Sequence, residues 1–187
     1  ENAVQDAQGQ IRTTKLGLER RLERNVKACH PILAWLVRHA VACITRYRVG
    51  PDGKTAYRRI RGRNFNRKIT EFGECVWYLK ARSKGRGKLD SRWATGVFLG
   101  VRDESHEIII GTPEGVLKAR TFRRKGSAEE RWDPELILGI AGVPWEPIPG
   151  SGPIGLKTHI RIPTGEPPNQ DTQVTNREFK PRAFYIR

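Results

Sequence analysis

The chain has no methionine, only three cysteines among its 187 residues, and no apolar run of the roughly 18 residues that a membrane helix needs. The N-terminus also lacks the basic-then-apolar pattern of a signal peptide, so nothing directs the chain into a membrane, and an intracellular protein is expected. Cys29, Cys43 and Cys75 are odd in number and widely spaced, which argues against a disulfide framework and for reduced thiols. Reaction motifs are missing too. There is no phosphate-cradling P-loop, no GxSxG elbow and no HExxH helix, and no serine, histidine and carboxylate spacing singles out a nucleophile with its base. Cys29 and His30 are adjacent and face different ways, while His39 and Cys43 share a helix face without a second pair at ligand spacing, a poor pattern for zinc. A chain that opens Glu1-Asn2, without Met, reads as a piece of a longer polypeptide.

Acidic residues are also short: 20 Asp and Glu face 35 Lys and Arg, for a net charge of +15 and a pI near 10.4. Such a surface attracts phosphates and speeds encounter with them, so nucleic acid is the expected partner, with acidic membranes and acidic proteins as competitors. The length allows one ordinary domain or two small ones, and an apolar share of 37% allows a modest core.

From Asn2 to Lys27, Val4, Ala7, Ile11, Leu18, Leu22 and Val26 recur at helical spacing and predict an amphipathic helix whose other face carries Arg12, Lys15, Arg20, Arg24 and Lys27. That face is either simply solvated or in contact with DNA. His30-Pro31 breaks the first helix and starts a second, running to about Arg48. Its apolar face, from Ile32 to Tyr47, is wide enough to need a sheet or another helix against it. Val49 to Gly53 is a turn, and a short helical turn is expected over Thr55 to Ile60. Arg58, Arg59, Arg61, Arg63, Arg67 and Lys68 then form the densest positive run, which is either a solvated linker or an arm that orders on phosphates.

Between Glu71 and Arg124, short apolar runs (Cys75 to Leu79, Gly96 to Val101, Ile108 to Ile110, Val116 to Phe122) alternate with Gly, Pro, Asp and Ser. This predicts a small antiparallel β-barrel or sheet. Trp77 and Trp93 either pack in it or stack on bases. Asp133-Pro134 opens a short helix over Glu135 to Ile140, and from Val143 onward accumulating Pro and Gly read as a linker.

Several phrases in order carry a resemblance. The opening helix, HPILAWLVRHAVACITRYRV, DGKTAYRRIRGR, EFGECVWYL, KLDSRWATGVFLGV and IIIGTPEGVLKARTFRR together resemble the integrase region of copia-type LTR-retrotransposon, retrovirus-related Pol polyproteins. Thr55-Ala56-Tyr57-Arg58, Phe72-Gly73, Lys88-Leu89-Asp90 and Phe98-Leu99-Gly100 stand where that family has its motifs, with Ala56 and Arg58 departing from the family's Pro and Glu. The resemblance covers about residues 1 to 125. It implies an α+β chain: the last helices of an RNase-H-like integrase core over 1–50, a basic connector over 51–70, an SH3-like β-barrel over 71–125, and a short helix with a largely disordered Pro/Gly-rich tail over 126–187.

In that family an Asp, Asp, Glu triad binds two divalent metal ions, Mg2+ or Mn2+, for strand transfer in DNA integration. Glu1 resembles the triad glutamate, which would make it catalytic and a metal ligand. An ordinary helix-start glutamate that favours the dipole is the plain alternative. If Glu1 is the triad glutamate, Gln5, Gln8, Arg12 and Lys15 would lie near substrate DNA. The aspartates have no candidates in this chain, so it is expected to hold no metal and to be inactive alone. The DNA-binding residues expected are Arg58, Arg59, Arg61, Arg63, Arg67 and Lys68 in the connector and Lys80, Arg82, Lys84, Arg86 and Lys88 in the first barrel loop. The partners implied are retroelement ends, target DNA and other integrase chains in an oligomer, in a nucleus or a cytoplasmic retroelement particle. A stand-alone RNA-binding SH3-like barrel of ribosomal or chromatin type would use the same loops.

Overall fold

The first predicted helix is α1, Asn2–Leu22. In this computed structural model, which describes residues 2–67, 69–81 and 91–151, it stops short of the expected Lys27. Glu23 takes a left-handed φ of 53°, which ends the helix, and Val26 reaches the core from the following turn. The Val26 N–H donates to Glu19 Oε1 at 2.9 Å and fixes that turn. Helix α2, Pro31–Tyr47, starts where Pro predicts, with the Ile32 N–H donating to His30 Nδ1 at 3.2 Å. Arg48, just past its end, pairs with Asp6 near the start of α1, so the two helices run antiparallel. The short α3, Ala56–Arg61, is capped by Thr55 at one end and by Gly62, with φ of 70°, at the other.

Five strands follow: β1, Cys75–Leu79; β2, Trp93–Val101; β3, Ile108–Thr112; β4, Gly115–Ala119; and β5, Phe122–Arg124. The single run expected over Val116 to Phe122 is therefore two strands, broken at Arg120-Thr121. The order is β4-β3-β2-β1-β5 and every pairing is antiparallel. Among the described residues no ladder joins β4 to β5, so the expected barrel is an open sheet. It is nevertheless strongly curled. Five strands laid flat would span about 19 Å at a spacing of ~4.8 Å. Arg120 and Thr121 alone link the two edges, and two residues reach only about 10 Å between their neighbours.

Both faces of the curled sheet contribute residues to a core. Val76, Tyr78, Phe98, Val101, Ile108, Ile110 and Ala119 fill the inner side, with Phe65 and Ile69 of the connector closing over them. Cys75, Val97, Leu99 and Ile109 point outward to Leu18, Leu22, Ile32, Trp35 and Leu36 of the helices. Residues 1–50 and 71–125, expected as separate domains, thus share one hydrophobic cluster within the unit Glu1–Gly155. A bulge in β2 feeds both sides: Phe98 pairs with Ile110 and Gly100 with Ile109, so Leu99 is the extra residue. Phe98 faces inward and Leu99 outward, and Gly100 absorbs the change at a φ of 138°. Gly73 has a φ of 85°, and a Cβ there would lie 2.5 Å from Leu18 Cδ1.

Glu74, fully buried ahead of β1, accepts from Arg124 Nε at 2.7 Å and Nη2 at 2.9 Å, and from the Thr70 hydroxyl. This ties the short β5 to β1. Helix α4, Ala128–Arg131, precedes α5, Pro134–Leu138, where the Asp133 carboxylate accepts from the Glu135 N–H at 3.0 Å. The latter begins one residue before the expected Glu135 and ends before Ile140, yet Ile137 and Ile140 are both buried against the outer cluster. The linker expected from Val143 is tied down as far as Ser151. Pro147 accepts the Val116 N–H at 2.7 Å, and Gly142 accepts from Trp35 Nε1 at 3.0 Å. The rest of the expected tail lies outside the described residues.

Candidate nucleic-acid interface

The connector becomes a site because its aromatic residues are anchored. Tyr57 is buried at the start of α3, and Phe65 stacks edge-on against it with ring centroids 5.4 Å apart. Phe65 also meets His106 of the β2–β3 turn at 6.2 Å, and Tyr57 Oη lies 3.5 Å from His106 Nε2. His106 itself has a φ of 55°, a conformation that turns its ring back toward the connector. Arg46, 4% exposed on α2, braces the other side of this turn. It donates to Val101 O at 2.9 Å and Asp103 Oδ1 at 2.6 Å, and its guanidinium lies 4.5 Å over the Phe65 ring.

Two adjoining clefts result, of about 330 and 360 Å³, sharing Arg67 and His106. One is completed by Arg120 and the other by Arg63, Asn64 and Asn66. Arg61 reaches the same turn, 3.5 Å from Asp103 O. Burial, then the Arg67, Arg46, Arg61 and Arg63 guanidiniums, hold His106 below the ordinary imidazole range, so its ring is neutral and the local charge comes from arginine. Glu107 is a carboxylate in the lining of the first cleft, and it accepts from the Ser105 hydroxyl at 2.8 Å. The arrangement offers several guanidiniums around a shallow, partly apolar hollow, chemistry suited to phosphate oxygens.

Of the residues singled out by sequence, Arg61, Arg63 and Arg67 are brought together here. Arg58 is exposed on α3, and Arg59 is engaged by Asp52, with its Nε donating to Oδ2 at 3.0 Å. Arg12 is exposed on α1, while Lys15 pairs with Glu19 at 2.8 Å. Lys80 is half-buried at the end of β1. Glu1, Lys68, Arg82, Lys84, Arg86 and Lys88 lie outside the described residues. Arg46, His106 and Arg120 escaped the sequence reading, because they come from three separate segments and join the group only through the fold.

Among the described residues no group of three or more His, Cys, Asp or Glu could hold a metal ion. No described helix is long and apolar enough to cross a membrane. Another cleft, about 620 Å³ between α1, α2 and the approach to β1, is a poorer anion site. Arg21 there is 3.3 Å from Glu71 and stacks on Trp132. His39, also lining it, is lowered to about 4 by burial and then by Arg46, and its Nε2 meets Cys43 Sγ at 3.3 Å. Comparison of the chain with family models, curated proteins and solved structures returned no match.

Proposed function

We propose that the chain is the DNA-binding part of a copia-type integrase, gripping the phosphate backbone through the connector and the β2–β3 turn. The observation that carries this is the grouping of Arg63, Arg67 and Arg120 around His106, with Arg61 reaching the same turn, while the turn's Asp103 and Glu104 are already engaged by Arg46 and Arg102. The strand order supports the finer reading of an SH3-like fold left open between β4 and β5, a meander whose last strand returns to the first. On this reading α1 and α2 are the closing helices of an RNase-H-like core, and the DNA-joining chemistry belongs to the complete integrase with its metal ions.

The test is the salt dependence of binding to duplex DNA. The logarithm of affinity should fall steeply and linearly with the logarithm of salt, and Arg63→Ala and Arg67→Ala should each flatten the slope by about one unit. A flat dependence in the wild-type chain refutes phosphate binding. Strong preference for RNA in competition favours the ribosomal or chromatin-type alternative. Two aspartates on RNase-H-like strands encoded upstream of Glu1 are required by the integrase assignment, and a reading frame lacking them refutes it.

A further inference from the structure

The helices cover only one end of the sheet's outer face. By the β1–β2 and β1–β5 registers, Trp77 lies between Thr95 and Arg123, and Leu79 is opposite Trp93, all on the face shared with Cys75 and Val97. Cys75 and Val97 are fully buried, whereas Trp77 is 40% exposed, and Thr95, Leu79 and Trp93 are partly so. Lys125 Nζ sits 5.1 Å from the Trp77 ring centroid and the Arg123 guanidinium 4.9 Å from that of Trp93. Cation and aromatic thus alternate diagonally across three strands. No described position of β1, β2 or β5 on this face carries a carboxylate.

A large indole left exposed beside two cations, with no acid to neutralise them, matches a ligand that is itself a flat ring joined to an anion. We propose that this uncovered end of the sheet binds a single-stranded nucleic-acid segment, its bases stacking on Trp77 and Trp93 while Arg123 and Lys125 turn to its phosphates. A base gains more on an indole than an exposed cation loses by leaving it, and the released cation finds a phosphate. A duplex cannot use the surface in this way, because its bases are already stacked on each other. The inference rests on the nucleic-acid reading above but uses residues separate from the connector clefts.

The full chain would be titrated, by fluorescence anisotropy, with labelled oligothymidylate and oligouridylate of about 12 nucleotides and with a duplex of equal length. Wild-type chain is expected to bind the single strands with quenching of tryptophan emission. Trp77→Ala should weaken them about 10- to 100-fold and the duplex less than about threefold, while Trp77→Phe keeps most of the affinity. Trp77 is exposed, so the variant should retain its fold, which circular dichroism checks. Equal loss for the thymidylate and uridylate strands is expected from stacking, and loss confined to one of them overturns a general base platform. Unchanged single-strand affinity in Trp77→Ala, with duplex binding intact, overturns the platform and leaves the backbone reading standing. Absence of all binding by the wild-type chain overturns that reading and this one with it.

Discussion

Replacing Arg124 with alanine leaves the Glu74 carboxylate fully buried with the Thr70 hydroxyl as its remaining side-chain donor. Removing one member of a fully buried pair typically costs about 3–5 kcal/mol, because the other charge is left uncompensated. Arg124 is half exposed, so water can enter the space it vacates, and about 2–3 kcal/mol is the expected loss. Urea denaturation at pH 7 should show it as a lower midpoint with an unchanged slope. Combining Arg124→Ala with Glu74→Gln should cost less than the sum of the two single changes, since no buried charge is then stranded.

The pH dependence provides the sharper check. Burial pushes the Glu74 carboxyl up, but the hydrogen bonds from Arg124 and Thr70 outweigh it and hold the group below its ordinary value. In the wild-type chain this stability is present above the ordinary glutamate range and is lost as pH falls through the lowered value. Without Arg124 the effect of burial prevails and the sign reverses. Protonation then relieves the folded state, so the deficit of Arg124→Ala should shrink between pH 7 and pH 4. A deficit below about 0.5 kcal/mol at pH 7, or one that does not change with pH, refutes the buried-pair reasoning.

Gly73→Ala should destabilise the chain by about 2–3 kcal/mol, from a positive φ and from overpacking against buried Leu18, again read by urea denaturation. An effect under about 0.5 kcal/mol would mean that the approach to β1 has room to relax. Burial, then Arg46, lower His39 from 6.5 to about 4 in the fold, so its ring is neutral there at pH 7. Its contribution is therefore full above pH 6.5 and is lost as pH falls toward 4, by about 3 kcal/mol in all. His39→Leu should flatten the stability profile between pH 6.5 and 4.5, and an unchanged profile would show that the ring is not buried uncharged.

The elements that were legible in the sequence are those set by local rules. Pro31 behind His30 opens α2, Thr55 and Gly62 bracket α3, and the apolar run Cys75–Leu79 is β1 to the residue. The phrases that suggested a family turn out to be fold residues: Gly73 and Gly100 hold positive φ, and Phe98-Leu99 serve two cores through one bulge. What sequence could not give depends on distance along the chain. Alternation put Trp77 on one face of a strand but could not say where the helices covering that face would end. The connector read as a featureless basic run until Tyr57 and Phe65 anchored it to His106, about 40 residues or more downstream. Glu23 breaks α1 against its own propensity, with Asn25 two residues on as the one local turn signal.

The open sheet has a consequence for how the protein behaves at high concentration. A curled sheet with two unjoined edges offers backbone groups to which further strands could add. Here one edge, β4, already donates its Val116 N–H to Pro147, whose ring keeps the covering segment from donating onward at that residue. The other, β5, lasts three residues and carries Arg123 and Arg124. Arg124 is paired with Glu74, but Arg123 and the adjoining Lys125 are like charges that repel an identical rim, so the same cations that favour a polyanion discourage stacking of copies into fibrils. Neutralising them should expose a tendency to aggregate that the isolated chain otherwise keeps in check.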